Sequence, residues 1–413
     1  MADPTAPPPP FLPPTIPSLM ESSRAVLRVL AASGPITRPR LGAILELSKP
    51  TMSAAVSELS AAGLVSEHGS HKGATGRTAT IYGLGPAAGY VMGIDVGAAQ
   101  VRAVAHSLDD RPLATVEQPI PRPSGATIDD IGAVIESVAA ATVLAVGDRH
   151  RTLRGVAVAV PRIVSTHRLG QNRRKGPEAV LARLRARIAA PILLENNVNC
   201  AAIAEHHYGA ARNHDVFAYV QVGVRIGLGI IVNGRLLRGV NGAAGEIGRL
   251  PFPWSPAETP TREGLEHYLG SAALIQRCAG DWPAGDGPPP ASAKELFVRA
   301  EAGSEPAGRW VARHAADIGR LVAACVGVLD PGLIVLGGGV GQNPLMLREV
   351  RRVAGELTWR TEIAVSSLGA NGTSLGAMRL AAGYGLGLIL GEATHPAVVL
   401  PPLAAPGESA AAE

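Results

Sequence analysis

Four short apolar runs limit what this chain can fold into: "RGVAVAVP" (154–161), "PILLE" (191–195), "VFAYVQVG" (216–223) and "LIVLGGGV" (333–340). Each is too short for a core helix and is punctuated by glycine, proline or a charged residue, the pattern of strands buried on both faces. Between them lie segments rich in Ala, Leu and Arg with helical spacing. Strands alternating with helices specify an α/β fold. Upstream, "YVMGIDVGAAQVRAVAHSLDDRPLATVEQ" reads as a β-hairpin turning at Asp109-Asp110, with a glycine inside its first strand. Residues 255–305 are Pro- and Gly-rich, with some helix and little strand pattern.

Residues 18–84 follow a different rule. Between Ser22 and Ala32, Val26, Leu27, Val29 and Leu30 share one helical face. "GPITRPRLGAIL" starts a second helix: Thr37 is its cap, Pro39 sits in the first turn, and Leu41, Ile44 and Leu45 point inward. After Glu46-Leu47, "SKPTMSAAVSELSAAGLV" repeats the signature with Ser48 as cap and Pro50 in the first turn. Met52, Val56 and Leu59 form its apolar side, while Lys49, Thr51, Ser53 and Ser57 form a small or basic one. The strand–glycine tip–strand of "GLVSEHGSHKGATGRTATIYGL" then carries His71, Lys72 and Arg77 at or near its tip. That order predicts a winged helix-turn-helix, whose second helix presents polar residues to base edges. A small helical dimerisation module is the alternative.

At 413 residues the chain has room for several cores, and a net charge of +4 is compatible with nucleic acid without requiring it. Cys200, Cys278 and Cys325 are scattered singly, with no spacing for a metal site or a disulfide framework, which suits a reducing cytoplasm. No basic head precedes an apolar core at the N-terminus, and the apolar stretches are interrupted before the roughly 20 residues of a membrane span. The expectation is a cytoplasmic protein with no membrane partner. Residues 1–17 and 392–413 are expected to be disordered tails, the first on its proline content.

The winged helix joined to "GIDVG", "ENNVNCAAIAE", "VNGRLLRGVNGAAGEIG", "GLEHY" and "VLGGGVG" resembles the ROK family of repressors and sugar kinases, and most of all its DNA-binding regulator branch. The resemblance implies an actin-like, ribonuclease H-like domain of two lobes over residues 88–391, preceded by the winged helix of residues 18–84. It also implies a homodimer and a sugar and ATP cleft. Family kinases carry Asp-x-Gly-Gly-Thr-Lys/Asn after the first strand; here the stretch is Asp95-Val96-Gly97-Ala98-Ala99-Gln100. The Gly-Thr-Gly-x-Gly phosphate loop is matched by Gly223-Val224-Arg225-Ile226-Gly227. In Glu-Asn-Asp-x-Asn the Asp resembles the catalytic base, and Asn197 of Glu195-Asn196-Asn197-Val198-Asn199 stands in its place. An amide accepts no proton near neutral pH, and losing a general base costs roughly 10²–10⁴ in rate. The expectation is a non-enzyme with no catalytic residue and no cofactor.

The family's zinc ligands fall on Arg249, Ala257, Thr259 and Gly264, none of which ligates a metal, so no metal is expected. The "RLPFPWSP" segment is expected to brace this region with Phe252 and Trp254. Sugar-site positions retained by resemblance are Asn196, Glu246 and Glu266, joined by Asn197 as a hydroxyl partner and by Arg249 in place of His. Two readings stay open. Arg162, Arg225 and Arg249 either make an electropositive site for an acidic or phosphorylated sugar, or Arg249 pairs with Glu246 or Glu266 in a disused pocket. Arg173-Arg174-Lys175 reads as a solvated loop. For DNA, Lys49, Thr51 and Ser53 are placed for bases and Arg38 and Arg40 for phosphates. Lys72 and Arg77 belong to the wing, and family analogy places Arg77 in an A·T-rich minor groove. The expected partner is double-stranded DNA carrying an inverted repeat.

Overall fold

The computed structural model describes residues 18–72, 78–121, 125–148, 150, 152–164, 180–253, 257–393 and 398–400. Contacts divide the chain into two compact units, residues 1–197 with 377–413, and residues 198–376. The first begins with α1 (Glu21–Ser33), β1 (Ile36–Thr37), α2 (Arg38–Leu45), α3 (Lys49–Ala61), β2 (Val65–Lys72) and β3 (Thr78–Leu84). It continues through β4 (Tyr90–Val96), β5 (Gln100–Ser107), β6 (Pro112–Pro119), α4 (Ile128–Val146), β7 (Leu153–Val160), α5 (Ala182–Arg187) and β8 (Ile192–Asn196). The second contains α6 (Asn197–Tyr208) from its second residue, β9 (Phe217–Val222), β10 (Ile226–Val232), β11 (Arg235–Leu236), α7 (Gly264–Leu269), α8 (Ser271–Gly280) and α9 (Ala293–Glu301). Then come α10 (Glu305–Leu329), β12 (Leu333–Gly337), α11 (Gly338–Gly341), α12 (Pro344–Leu357) and β13 (Glu362–Val365). Last, α13 (Gly372–Leu390) contains the unit boundary, and β14 (Val398–Leu400) belongs to the first unit.

The N-terminal part is a three-helix core closed by a hairpin in the order β1-β3-β2. Val26, Leu27 and Leu30 of α1, Leu41 of α2, and Met52, Val56 and Leu59 of α3 are all buried, as the i, i+3, i+4 spacing requires. Ser48 caps α3 by accepting from the Thr51 amide at 3.3 Å, whereas Thr37 sits at the start of α2 without a side-chain cap bond. Ile44, expected inside, is 50 % exposed. The cause is length: α2 ends at Leu45, where Glu46 turns left-handed, so about two turns are available to bury a face.

The six-stranded sheet runs β14-β8-β7-β4-β5-β6. β4 pairs in parallel with β7 (Gly93 opposite Ala157), and β7 with β8 (Val158 opposite Leu194). The expected single hairpin is a three-stranded meander. The chain turns once at 97–99 and again at Asp109-Asp110, where Asp110 adopts φ 65°. Gly97-Ala98-Ala99 is apolar enough to pass for strand in the sequence, which hid the first turn. Ile94, Val156, Ile192 and Leu194 of the sheet pack on Ile135 of α4 and Leu184 of α5.

The expectation of a disordered tail over 392–413 is corrected at residues 398–400 by β14, while residues 401–413, like 1–17, lie outside the described residues. Val398 and Leu400 are buried, and Val399 pairs antiparallel opposite Leu193 on the edge of β8. Three apolar residues complete a sheet edge here, and their proline-rich flanks masked them in the sequence. The expectation that no stretch reaches membrane-span length is also corrected. Residues Gly369–Leu390 pass that test by length and composition, with 61 % of the window buried inside the fold.

In the second unit the sheet order is β11-β10-β9-β12-β13, with β9 and β10 antiparallel and β12 parallel to β9. The long helix α10 buries Trp310, Ile318, Val322 and Val326 in a core shared with Val350 of α12 and Phe297 of α9. The described residues of 255–305 are helix, turn and coil, with isolated bridges such as that of Phe252 to Thr261 in place of strands.

Candidate functional site

The DNA-facing candidates sit at the N-terminal ends of two helices. Arg38 and Arg40 open α2; Lys49, Thr51 and Ser53 open α3 and are exposed, as is Arg40, while Arg38 is half-buried. The Ser48 cap fixes the start of α3, and its hydroxyl also meets Thr51 Oγ1 at 2.8 Å, so the Thr51 hydroxyl is partly engaged. Lys72 ends β2 and is exposed. Arg38, Arg40, Lys49 and Lys72 have no ion-pair partner among the described residues. Cations left without carboxylates on helix N-termini and a hairpin suit a phosphate backbone. Arg77, at the wing tip, lies outside the described residues, as do Trp254 and Arg173-Arg174-Lys175.

The ligand candidates of the first unit lie where parallel strands end, the place at which open α/β sheets bind small molecules. β8 ends in Asn196, opposite Val160 of β7, and Asp95 near the end of β4 is opposite Ala159. The Asn196 amide nitrogen of the main chain donates to Glu195 Oε1 at 2.9 Å, and its side-chain Nδ2 donates to the Arg162 carbonyl at 3.1 Å. Asn197, half-buried, is the first residue of α6. Asp95 was not singled out as a site residue from sequence. Burial pushes its carboxyl up to about 7, only partly opposed by Arg102 on the neighbouring strand. The available signal was position: it is the penultimate residue of the first core strand, just before the turn where phosphate-handling loops begin.

The second unit holds the remaining candidates in one charged cluster. Arg249 Nε lies 3.3 Å from Glu246 Oε2, and its Nη2 lies 3.9 Å from Glu263 Oε1. Arg225 Nη1 lies 4.0 Å from Glu266 Oε1, and Glu266 Oε2 accepts from the Ile226 amide at 3.4 Å. The Glu246 carboxyl is raised first by burial and then by Glu266; Arg249 and Arg225 oppose the shift. Two arginines thus meet three carboxylates, and Arg249 pairs with Glu246 and, at longer range, with Glu263. Sequence reasoning missed Glu263 because the half-turn that brings it alongside, with Glu263 at φ 65°, leaves no periodic mark. Phe252 braces the segment as expected, its ring 4.8 Å from that of Tyr268.

A helix-turn-helix with a hairpin wing, joined to an α/β body of two sheets, defines a winged-helix protein built on an actin-like fold. The chain belongs to the ROK family, whose model matches residues 91–383, and residues 22–72 match the model of the MarR family. The chain is 33 % identical over 206 residues to the bifunctional enzyme NanE/NanK of Brucella melitensis, a match that covers 49 % of this chain and only 37 % of that relative. It is 25 % identical over 260 residues to the xylose repressor of Bacillus subtilis, covering 62 % and 67 % of the two chains. Among solved structures, a ROK family transcriptional regulator described as a homolog of the E. coli MLC protein shares the fold. That structure gives a TM-score of 0.69 and 18 % identity, over 90 % of this chain and 98 % of that one. The ROK hexokinase of Thermus thermophilus gives 0.56 and 28 %, over 70 % and 97 %.

Proposed function

We propose that this protein is a homodimeric transcriptional regulator, acting as a repressor, that binds an inverted repeat in double-stranded DNA. The carrying observation is the Ser48-capped α3, which presents Lys49, Thr51 and Ser53, together with Arg38 and Arg40 of α2, which have no ion-pair partner among the described residues. One winged helix makes a small footprint, so two copies on two half-sites supply the affinity. The similarity to a xylose repressor supports the same reading. The body serves dimerisation and the sensing of a sugar or sugar phosphate through Asn196, Asn197, Glu246 and Glu266. It does not phosphorylate that ligand, because an amide at Asn197 takes no proton. Selection of sites from random duplexes tests the reading: an enriched inverted repeat is expected, with binding weakened by Lys49→Ala and its salt slope reduced by about one by Arg40→Ala. Failure to enrich any sequence overturns it.

One observation favours a second reading, a sugar kinase carrying an accessory winged helix. Asp95, with its carboxyl near neutrality at the strand ends, is a proton acceptor the sequence comparison left in place. Turnover of ATP with a hexose or amino sugar, abolished by Asp95→Asn, would establish that reading instead.

A further inference from the structure

Arg154 is a buried arginine with an unusual job. It is the second residue of β7, 8 % exposed, and no carboxylate pairs with it among the described residues. Its Nε donates to the Ala88 carbonyl at 3.0 Å and its Nη2 to the Ala87 carbonyl. Ala87 and Ala88 form the single turn that joins the winged helix to β4. Burial lowers the pKa of the guanidinium with no carboxylate to offset it. A charge held this way is costly, and what it secures is the linker.

The stem of Arg154 is wedged from the other side by α13. A methyl group on Gly385 would lie 2.9 Å from Arg154 Cβ and 3.3 Å from Val91 Cγ1, so the helix backbone rides directly on this side chain. Just past α13, Glu392 pairs with Arg28 of α1, a second tether to the winged helix.

We propose that Arg154 is a positioning residue for DNA binding: it sets the orientation of the winged helix within the first unit. The proposal rests on the regulator reading. A dimer can select one half-site spacing only if each winged helix is held at a fixed angle, so the joint is read out by spacing, which a merely structural role would not move.

The test uses the full chain and duplexes carrying the selected inverted repeat with its half-sites moved by single base pairs. Wild type is expected to prefer one spacing by about tenfold or more. Arg154→Met, which keeps the stem and removes the donors, is expected to flatten that preference and to speed amide exchange over residues 85–90, and Arg154→Lys to restore part of it. Unchanged spacing preference in folded Arg154→Met overturns the proposal. If that variant does not fold, the exposed tether decides: Arg28→Glu and Glu392→Arg should each relax the preference and the double reversal should recover it. No effect of either, or no recovery, overturns the proposal. Wild type that binds no selected duplex fails the regulator reading itself, a separate outcome.

Discussion

The most informative single residue is Asp95, because its titration works against the fold. In the unfolded chain the carboxyl ionises near 3.8, whereas in the folded protein it keeps its proton up to about 7. A pKa raised by folding adds stability that is complete below the unfolded value and is lost as pH rises through the folded one. Asp95 therefore favours the folded state at pH 4 and has surrendered that contribution by pH 8. Asp95→Asn keeps the shape and removes the titration. Thermal melts from pH 4 to 8 should show the variant increasingly more stable than wild type as pH rises, with the curves converging near pH 4. A constant offset at every pH would mean that the carboxyl is already ionised in the folded protein. Arg249 makes the same point about charge: its neighbours Glu246 and Glu263 absorb it, and a residue type alone does not show whether it is free.

At the scale of elements, the legible parts were those with strong periodicity or a cap. The four apolar runs became β7, β8, β9 and β12, and Ser48 and Pro50 marked the start of α3 correctly. What escaped was short or context-dependent. The β4–β5 turn uses residues apolar enough for strand, Ile44 was exposed by the early end of α2, and β14 is a triplet whose pairing exists only because the edge of β8 is open. Site residues followed suit: Asn196, Glu246 and Glu266 lie at strand ends or in polar clusters, while Glu263 needed the folded turn to join them. β14 also yields a test. Burial of Val398 and Leu400 contributes about 1.5–3 kcal/mol per side chain at most, so removing residues 398–413 should lower the melting temperature by several degrees. An unchanged melting temperature would mean that the edge strand contributes nothing to stability.

For the whole molecule, the proposal of a non-catalytic body raises the question of what one substitution at Asn197 would do. Phosphoryl transfer depends on positioning and charge stabilisation at least as much as on a base, and the contributions of such parts are not additive. The residues at the three family motifs are altered together: Ala98, Ala99 and Gln100 after β4, Val224 and Arg225 before β10, and Asn197 at the start of α6. Arg225 is moreover engaged with Glu266. Asn197→Asp restores only the carboxylate, so it should yield no ATP turnover above background across hexoses, amino sugars and their analogues in a coupled ADP assay. Binding should respond differently, since Asn and Asp both accept hydrogen bonds from a hydroxyl. The variant should therefore keep operator affinity within about threefold of wild type in the absence of sugar. Turnover appearing with this single change would show that the altered loops hold phosphate, and that the carboxylate at position 197 alone separates the proposed regulator from a kinase.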